Sequence, residues 1–185
     1  MLRSFSTWFS LLIMATALAG CCGSTACECD DQFADAVGLQ FSADTTGPNP
    51  TGFRAREVAT VYLVRVPRDT AQRPRADTVQ LLRPVAQFSQ PVVINNTTPF
   101  TQAGNRKLDA YSYQLYLATA PRVKPSFSFV VDSVRLSTDF RAEGCCTCFE
   151  NSSKLVFTTR NGQVIRDDLT DPDGNNGLKT LLIQR

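Results

Sequence analysis

The chain contains no histidine in its 185 residues. That absence excludes Ser-His-Asp and Cys-His catalysis in their usual forms, and with them the common histidine-bound zinc hydrolase sites. A glycine-rich phosphate loop and a nucleophile elbow are missing too. So is an excess of charge of either sign. With Arg3 set aside, 18 cationic side chains face 17 anionic ones, so no global field draws nucleic acid or an acidic ligand. Beyond the first twenty residues no stretch approaches the roughly 20 apolar residues of a membrane-spanning helix. No segment sustains an apolar period of 3.6 residues either. Asp132, Asp139, Glu143 and Glu150 gather in the sequence, and glycoside hydrolases do use two carboxylates. Exposed strand ends and loops account for these four without a facing pair. The reading is therefore of a protein that is not an enzyme, with no catalytic residue and no cofactor.

What is present begins with "MLRSFSTWFSLLIMATALAGC". One cation, Arg3, precedes an uncharged stretch from Ser4 to Gly20, apolar at its centre and ending in small residues. This is the pattern of a secretory signal peptide. Ser6, Thr7 and Ser10 interrupt it, and the clean run from Leu11 to Gly20 is too short to span a bilayer. Leu18-Ala19-Gly20-Cys21 resembles the lipobox of bacterial lipoproteins. The resemblance implies cleavage after Gly20 and a diacylglycerol on the Cys21 thiol, with further acylation making the anchor stable. It implies residues 1–20 as signal peptide, 21–36 as lipidated cysteine and cysteine-rich tether, and 37–185 as the folded domain. It also places the protein at the bacterial cell envelope, held to a membrane by its N-terminal lipid. The outer membrane is the expected one, on either its periplasmic or its surface face. Glu28, Asp30, Asp31 and Asp35 then resemble the acidic surface-export signals of some lipoproteins, or serve as a hydrated spacer.

Seven cysteines less Cys21 leave two groups of three: Cys22, Cys27 and Cys29, then Cys145, Cys146 and Cys148. In an oxidising compartment an even number reads as a disulfide framework. Vicinal closure is strained, so the grouping predicts bridges from one cluster to the other, such as Cys29 to Cys145. The alternative is a metal-binding or thiol-redox protein, since crowded thiolates suit soft metals. Against it, neither cluster has the spacing of a zinc ribbon.

The mature chain reads as strands. "YSYQLYLA" puts Tyr111, Tyr113, Leu115 and Leu117 on one face and Ser112, Gln114 and Tyr116 on the other. "VGLQFSA" alternates similarly. "EVATVYLVRV", from Glu57 to Val66, is apolar on both parities until Arg65, as a central strand covered on both faces would be. "DTVQLLR" and "PVVIN" are shorter, the latter ending in the turn signal Asn95-Asn96. In "SFSFVVDSVRLS" the apolar parity changes, so either a bulge near Asp132 resets the face or two strands meet there. "KLVFTTRNGQVIRDDL" is a hairpin about Asn161-Gly162, and "LKTLLIQR" reads as a closing strand. Short strands punctuated by proline argue for an all-β fold, a single Ig-like antiparallel β-sandwich or barrel stapled by disulfides.

Two further features invite a ligand. Arg65, Arg68, Arg73, Arg75 and Arg83 crowd one connection, where arginine's planar fork would suit phosphate or carboxylate; a solvated loop explains them more simply. Asp171, Asp173 and Asn175 present oxygens at alternate positions, as calcium loops do. The sixth and twelfth positions are Asn176 and Leu182, so the EF-hand pattern fails and turn composition accounts for the segment. The domain is expected to act as a binding or structural module, with an envelope protein or a glycan as partner and no nucleic acid. It resembles the small envelope lipoproteins of bacteria.

Overall fold

Alternating apolar and polar side chains produce nine strands among the residues described by a computed structural model, namely 29, 31–46, 48–69, 75–143, 146–160, 162–172, 174, 175 and 177–185. In chain order they are β1 (Val37–Phe41), β2 (Thr60–Pro67), β3 (Asp77–Leu82), β4 (Val92–Ile94), β5 (Tyr111–Ala118), β6 (Phe127–Glu143), β7 (Cys146–Arg160), β8 (Gln163–Asp168) and β9 (Thr180–Ile183). One sheet has the order β4-β1-β9, the other β3-β2-β5-β6-β7-β8. All neighbours are antiparallel except β1 and β9, which run parallel. The two sheets bury one shared core, with Leu39, Phe41, Ile94, Leu181 and Ile183 from the small sheet. Val61, Leu63, Leu115, Leu117, Phe129 and Val156 come from the large one. Each such side chain contributes about 1.5–3 kcal/mol by leaving water. Phe53 closes one end, edge-on to Phe41 at 5.9 Å and to Phe127 at 4.9 Å. The fold is the antiparallel sandwich expected from the pattern.

Local chemistry explains the turns and irregularities. β7 and β8 join through a tight turn in which Gly162 takes a φ of +76°, a conformation that favours glycine. The parity change in "SFSFVVDSVRLS" is a bulge within one long strand, because the β6–β7 register shifts between Val131 and Ser133. After the shift, Val134 faces the core. The segment from Glu57 is not all strand: Ala55–Val58 forms a 3-10 turn, and β2 starts at Thr60.

Two expectations are corrected. β2 is not covered on both faces; Val61 and Leu63 are buried, whereas Tyr62, Val64 and Val66 lie half-exposed on the outer side of the large sheet. And the arginine-rich connection is not uniformly solvated, for Arg65 is only 4 % exposed. Strand parity puts Arg65 on the side of Val61 and Leu63. There its guanidinium lies 4.7 Å from the Phe100 ring and 4.5 Å from Tyr111. Its Nη2 donates to Asp77 Oδ2 at 2.6 Å and to the Thr101 carbonyl at 3.0 Å. Arg83 is buried as well, donating to the Gln87 and Gln90 carbonyls. Arg73 lies outside the described residues.

The Arg65–Asp77 pair makes a sharp prediction. Arg65 is the buried partner and Asp77 is half-exposed, so removing the carboxylate leaves a buried guanidinium with the Thr101 carbonyl, whereas an apolar replacement of Arg65 leaves only a solvated carboxylate. Asp77→Ala is expected to cost about 1 kcal/mol in urea unfolding, since solvent screens the half-exposed carboxylate, and Arg65→Met less than that. A larger loss for Arg65→Met would show that the aromatic stacking, rather than the ion pair, governs this site.

Candidate functional site: the disulfide pole and its polar clasp

The staple links the two cysteine clusters, but not through the partner offered as an example. Cys29 bonds Cys148 rather than Cys145, over a separation of 119 residues and a Cα–Cα distance of 5.3 Å. Cys146 is also disulfide-bonded. Sequence spacing does not give strand register, and register decides which of three close cysteines meets Cys29. Cys21, Cys22, Cys27 and Cys145 lie outside the described residues.

Beside this bridge the chain from residue 31 to Ala36 is seated on β7. The sequence placed it in the tether, yet Ala34, Asp35 and Ala36 are buried. Three side chains hold it. Lys154, 3 % exposed, donates from Nζ to the Phe33 carbonyl at 3.1 Å and the Ala36 carbonyl at 3.0 Å. Asn151 donates from Nδ2 to the Ala34 carbonyl at 2.6 Å and to Asp35 Oδ1 at 2.9 Å. Its Oδ1 accepts from the Thr138 hydroxyl at 3.3 Å. Asn96 donates to Asp35 Oδ2 at 2.8 Å and accepts the Leu108 amide, tying the turn after β4 to the start of β5.

Residues 151 and 154 should face opposite sides of a regular strand, since side chains alternate. A second register shift resolves this. Ser137 pairs with Ser153 and Thr138 with Asn151, so Ser152 is the extra residue and both polar side chains turn inward. Lys154 shares the inward parity of Val156 and Thr158, and the bulge brings Asn151 round to the same side. Burial holds its pKa below the ordinary 10.5, partly offset by the charges of Asp35 and Asp171.

A groove of about 350 Å³ opens against the clasp, lined by Asp31, Asp35, Asn95, Asn96, Lys107 and Phe149 among others. Much of its polarity is internally engaged. Lys107 Nζ is 3.5 Å from Asp35 and 4.5 Å from the centre of the Phe149 ring, and Asn95 Oδ1 accepts the Thr97 and Thr98 amides. The arrangement fastens a segment more than it offers itself to a ligand.

Of the other residues singled out from the sequence, Asp139 and Glu150 are register partners across β6 and β7, and the rest do not converge. Asp132 accepts from Thr159, Asp139 from the Phe140 amide, and Glu150 is 3.9 Å from Arg141. In the calcium candidate, Asp171 pairs with Lys179 at 3.1 Å and accepts the Gly177 amide. Asn175 is exposed, and Asp173 lies outside the described residues. Among the described residues no group of three acidic or thiol side chains is placed to hold a metal, and no helix is long and apolar enough to cross a membrane. What the sequence reading missed here is Lys154, although its parity with Val156 and Thr158 in "KLVFTTR" was visible. No known protein family, curated protein or solved structure matches this chain.

Two outcomes test the pole. In the unfolded chain Lys154 binds its proton more tightly than in the fold, so stability rises with pH through the window just below 10.5. Lys154→Met is expected to lose about 2 kcal/mol at pH 7, because two buried carbonyls lose their donor. It should also flatten that rise, as read by urea unfolding from pH 7 to 10. Replacing Cys29 and Cys148 by serine reopens a loop that the chain-entropy model values at about 5 kcal/mol, which denaturant midpoints would measure.

Proposed function

We propose that this chain is a lipid-anchored protein of the bacterial cell envelope whose β-sandwich serves as a binding module rather than an enzyme. The observation that carries the reading is the succession in the sequence: an apolar run, Leu18-Ala19-Gly20, and then Cys21 with Cys29 eight residues behind it. A diacylglycerol on Cys21 together with a further acyl chain supplies the two hydrophobic signals that stable anchoring requires. The disulfide pole supports the reading by its position. Cys29 and Phe33–Ala36 are the first described residues after the anchor, and they are held by a covalent bond and by buried donors. The outer membrane is the proposed address, on its periplasmic or its surface face.

The experiment is metabolic labelling with an alkynyl palmitate in a bacterial host, followed by fractionation. The native chain is expected in the membrane fraction with label, and Cys21→Ser in the soluble fraction without it. A Cys21→Ser chain that stays labelled and membrane-bound would overturn the proposal.

A further inference from the structure

The outer face of the large sheet carries a feature that the fold does not use. Tyr62 on β2 and Tyr116 on β5 stand directly opposite each other in register, on the side away from the small sheet. With Thr78, Arg122, Val123 and Lys124 they line an open hollow of about 580 Å³, within the range of small-ligand sites. We propose that this hollow binds an anionic saccharide, its rings against the two tyrosines and its negative group against Arg122 and Lys124.

Four observations carry this. Both phenol groups are engaged at their oxygens: Tyr62 accepts the Arg122 amide at 2.9 Å, and Tyr116 donates to Gln114 at 2.8 Å. What lines the hollow is therefore ring, whose negative face attracts the polarised C–H groups of a sugar. Second, among the described residues neither Arg122 nor Lys124 has a carboxylate within ion-pair distance, and none of the lining residues is acidic. Among the described residues the cationic side has no acidic match. Third, Arg122 holds a φ of +64°, a left-handed conformation that disfavours a side chain, and the Tyr62 hydroxyl pins it there. The Ala120–Val123 turn, closed by the Val123 amide on the Ala120 carbonyl, sets this conformation at its third residue and so carries Arg122 to the rim of the hollow. Fourth, the hollow and the disulfide pole lie at opposite ends of β5, whose eight residues span about 25 Å. The groups that fasten residues 31–36 are therefore not shared with the hollow.

The proposal rests on the reading of the domain as an anchored binding module, and the tests separate the two. Isothermal titration of the soluble Cys21→Ser chain would use tetragalacturonate, a heparin tetrasaccharide and neutral maltotetraose. Vesicles with 30 % phosphatidylglycerol would be assayed in parallel. At least one anionic oligosaccharide is expected to bind ten-fold or more tightly than maltotetraose. Arg122→Gly removes the guanidinium and accepts the backbone conformation, so it should weaken binding at least ten-fold with an unchanged or higher Tm. Tyr116→Ala should weaken it similarly in a folded chain. Neither anionic oligosaccharide binding, or binding indifferent to both substitutions, overturns the proposal; so does vesicle binding that Arg122→Gly abolishes while the sugars do not bind. Acyl labelling of Cys21 in a chain that fails here would leave the anchored reading standing, and saccharide binding by an unlabelled chain would do the reverse.

Discussion

The structure depends on a buried lysine. Lys154 carries its ammonium into the core side of β7 and gives hydrogens to two carbonyls of a segment with no strand partner of its own. Burying such a charge is expensive unless donors and acceptors match closely. Here the match extends through Asn151, whose amide is used on both sides, to Asp35, which also accepts from Asn96. Apolar packing would hold residues 33–36 against the sandwich at many neighbouring offsets. Carbonyls at Phe33, Ala34 and Ala36 meeting fixed donors accept one. The clasp thus contributes registry more than raw stability, and the adjacent disulfide supplies the covalent part of the same constraint.

That constraint reaches outward through two bulges. Without the extra residue at Ser152, Asn151 and Lys154 would face opposite sides of β7 and the clasp would fall apart. Without the shift at Asp132, Val134 would leave the core and β6 would present the wrong face along its outer half. The long β6–β7 ribbon is therefore a strand pair whose two register changes each serve a different layer. One returns apolar residues to the core, and the other turns polar residues onto the incoming chain.

Much of this was legible in residue order. Period-2 alternation sorted Tyr111 and Tyr113 from Ser112 and Tyr116, marked the change of parity near Asp132 without choosing between a bulge and a strand break, and gave the hairpin around Gly162. Those features are local, set by pleat and turn chemistry. Arg65, Arg83 and Lys154 escaped because charge was weighed by residue type, whereas the pleat dictates the side on which a residue falls. Arg65 shares parity with Val61 and Leu63, and its partner Asp77 lies straight across β2 and β3. A non-local pairing made the burial tolerable, and non-local pairings are not written in spacing. The choice of Cys148 over Cys145 had the same origin.

The same alternation also decides where binding chemistry can appear. A strand that commits one side to the core must offer the other to something, and for β2 and β5 the other side carries Tyr62, Val64 and Tyr116. A protein needing only solubility would place polar residues there, since aromatic rings on an open face gain little from water. The small sheet has three strands against six, so it covers one face of the large sheet and leaves the second uncovered. That mismatch gives the molecule two chemically different ends. At one, cysteine, lysine and amide side chains are spent on holding the chain to itself. At the other, two phenol rings and two cations remain without an intramolecular charge partner among the described residues, around a backbone turn held in an unfavourable conformation. Energy kept in that turn lowers stability and adds nothing to the core. The Ala120–Val123 turn reverses the chain between β5 and β6, and with the same geometry it sets the Arg122 amide against the Tyr62 hydroxyl at the rim of the uncovered face.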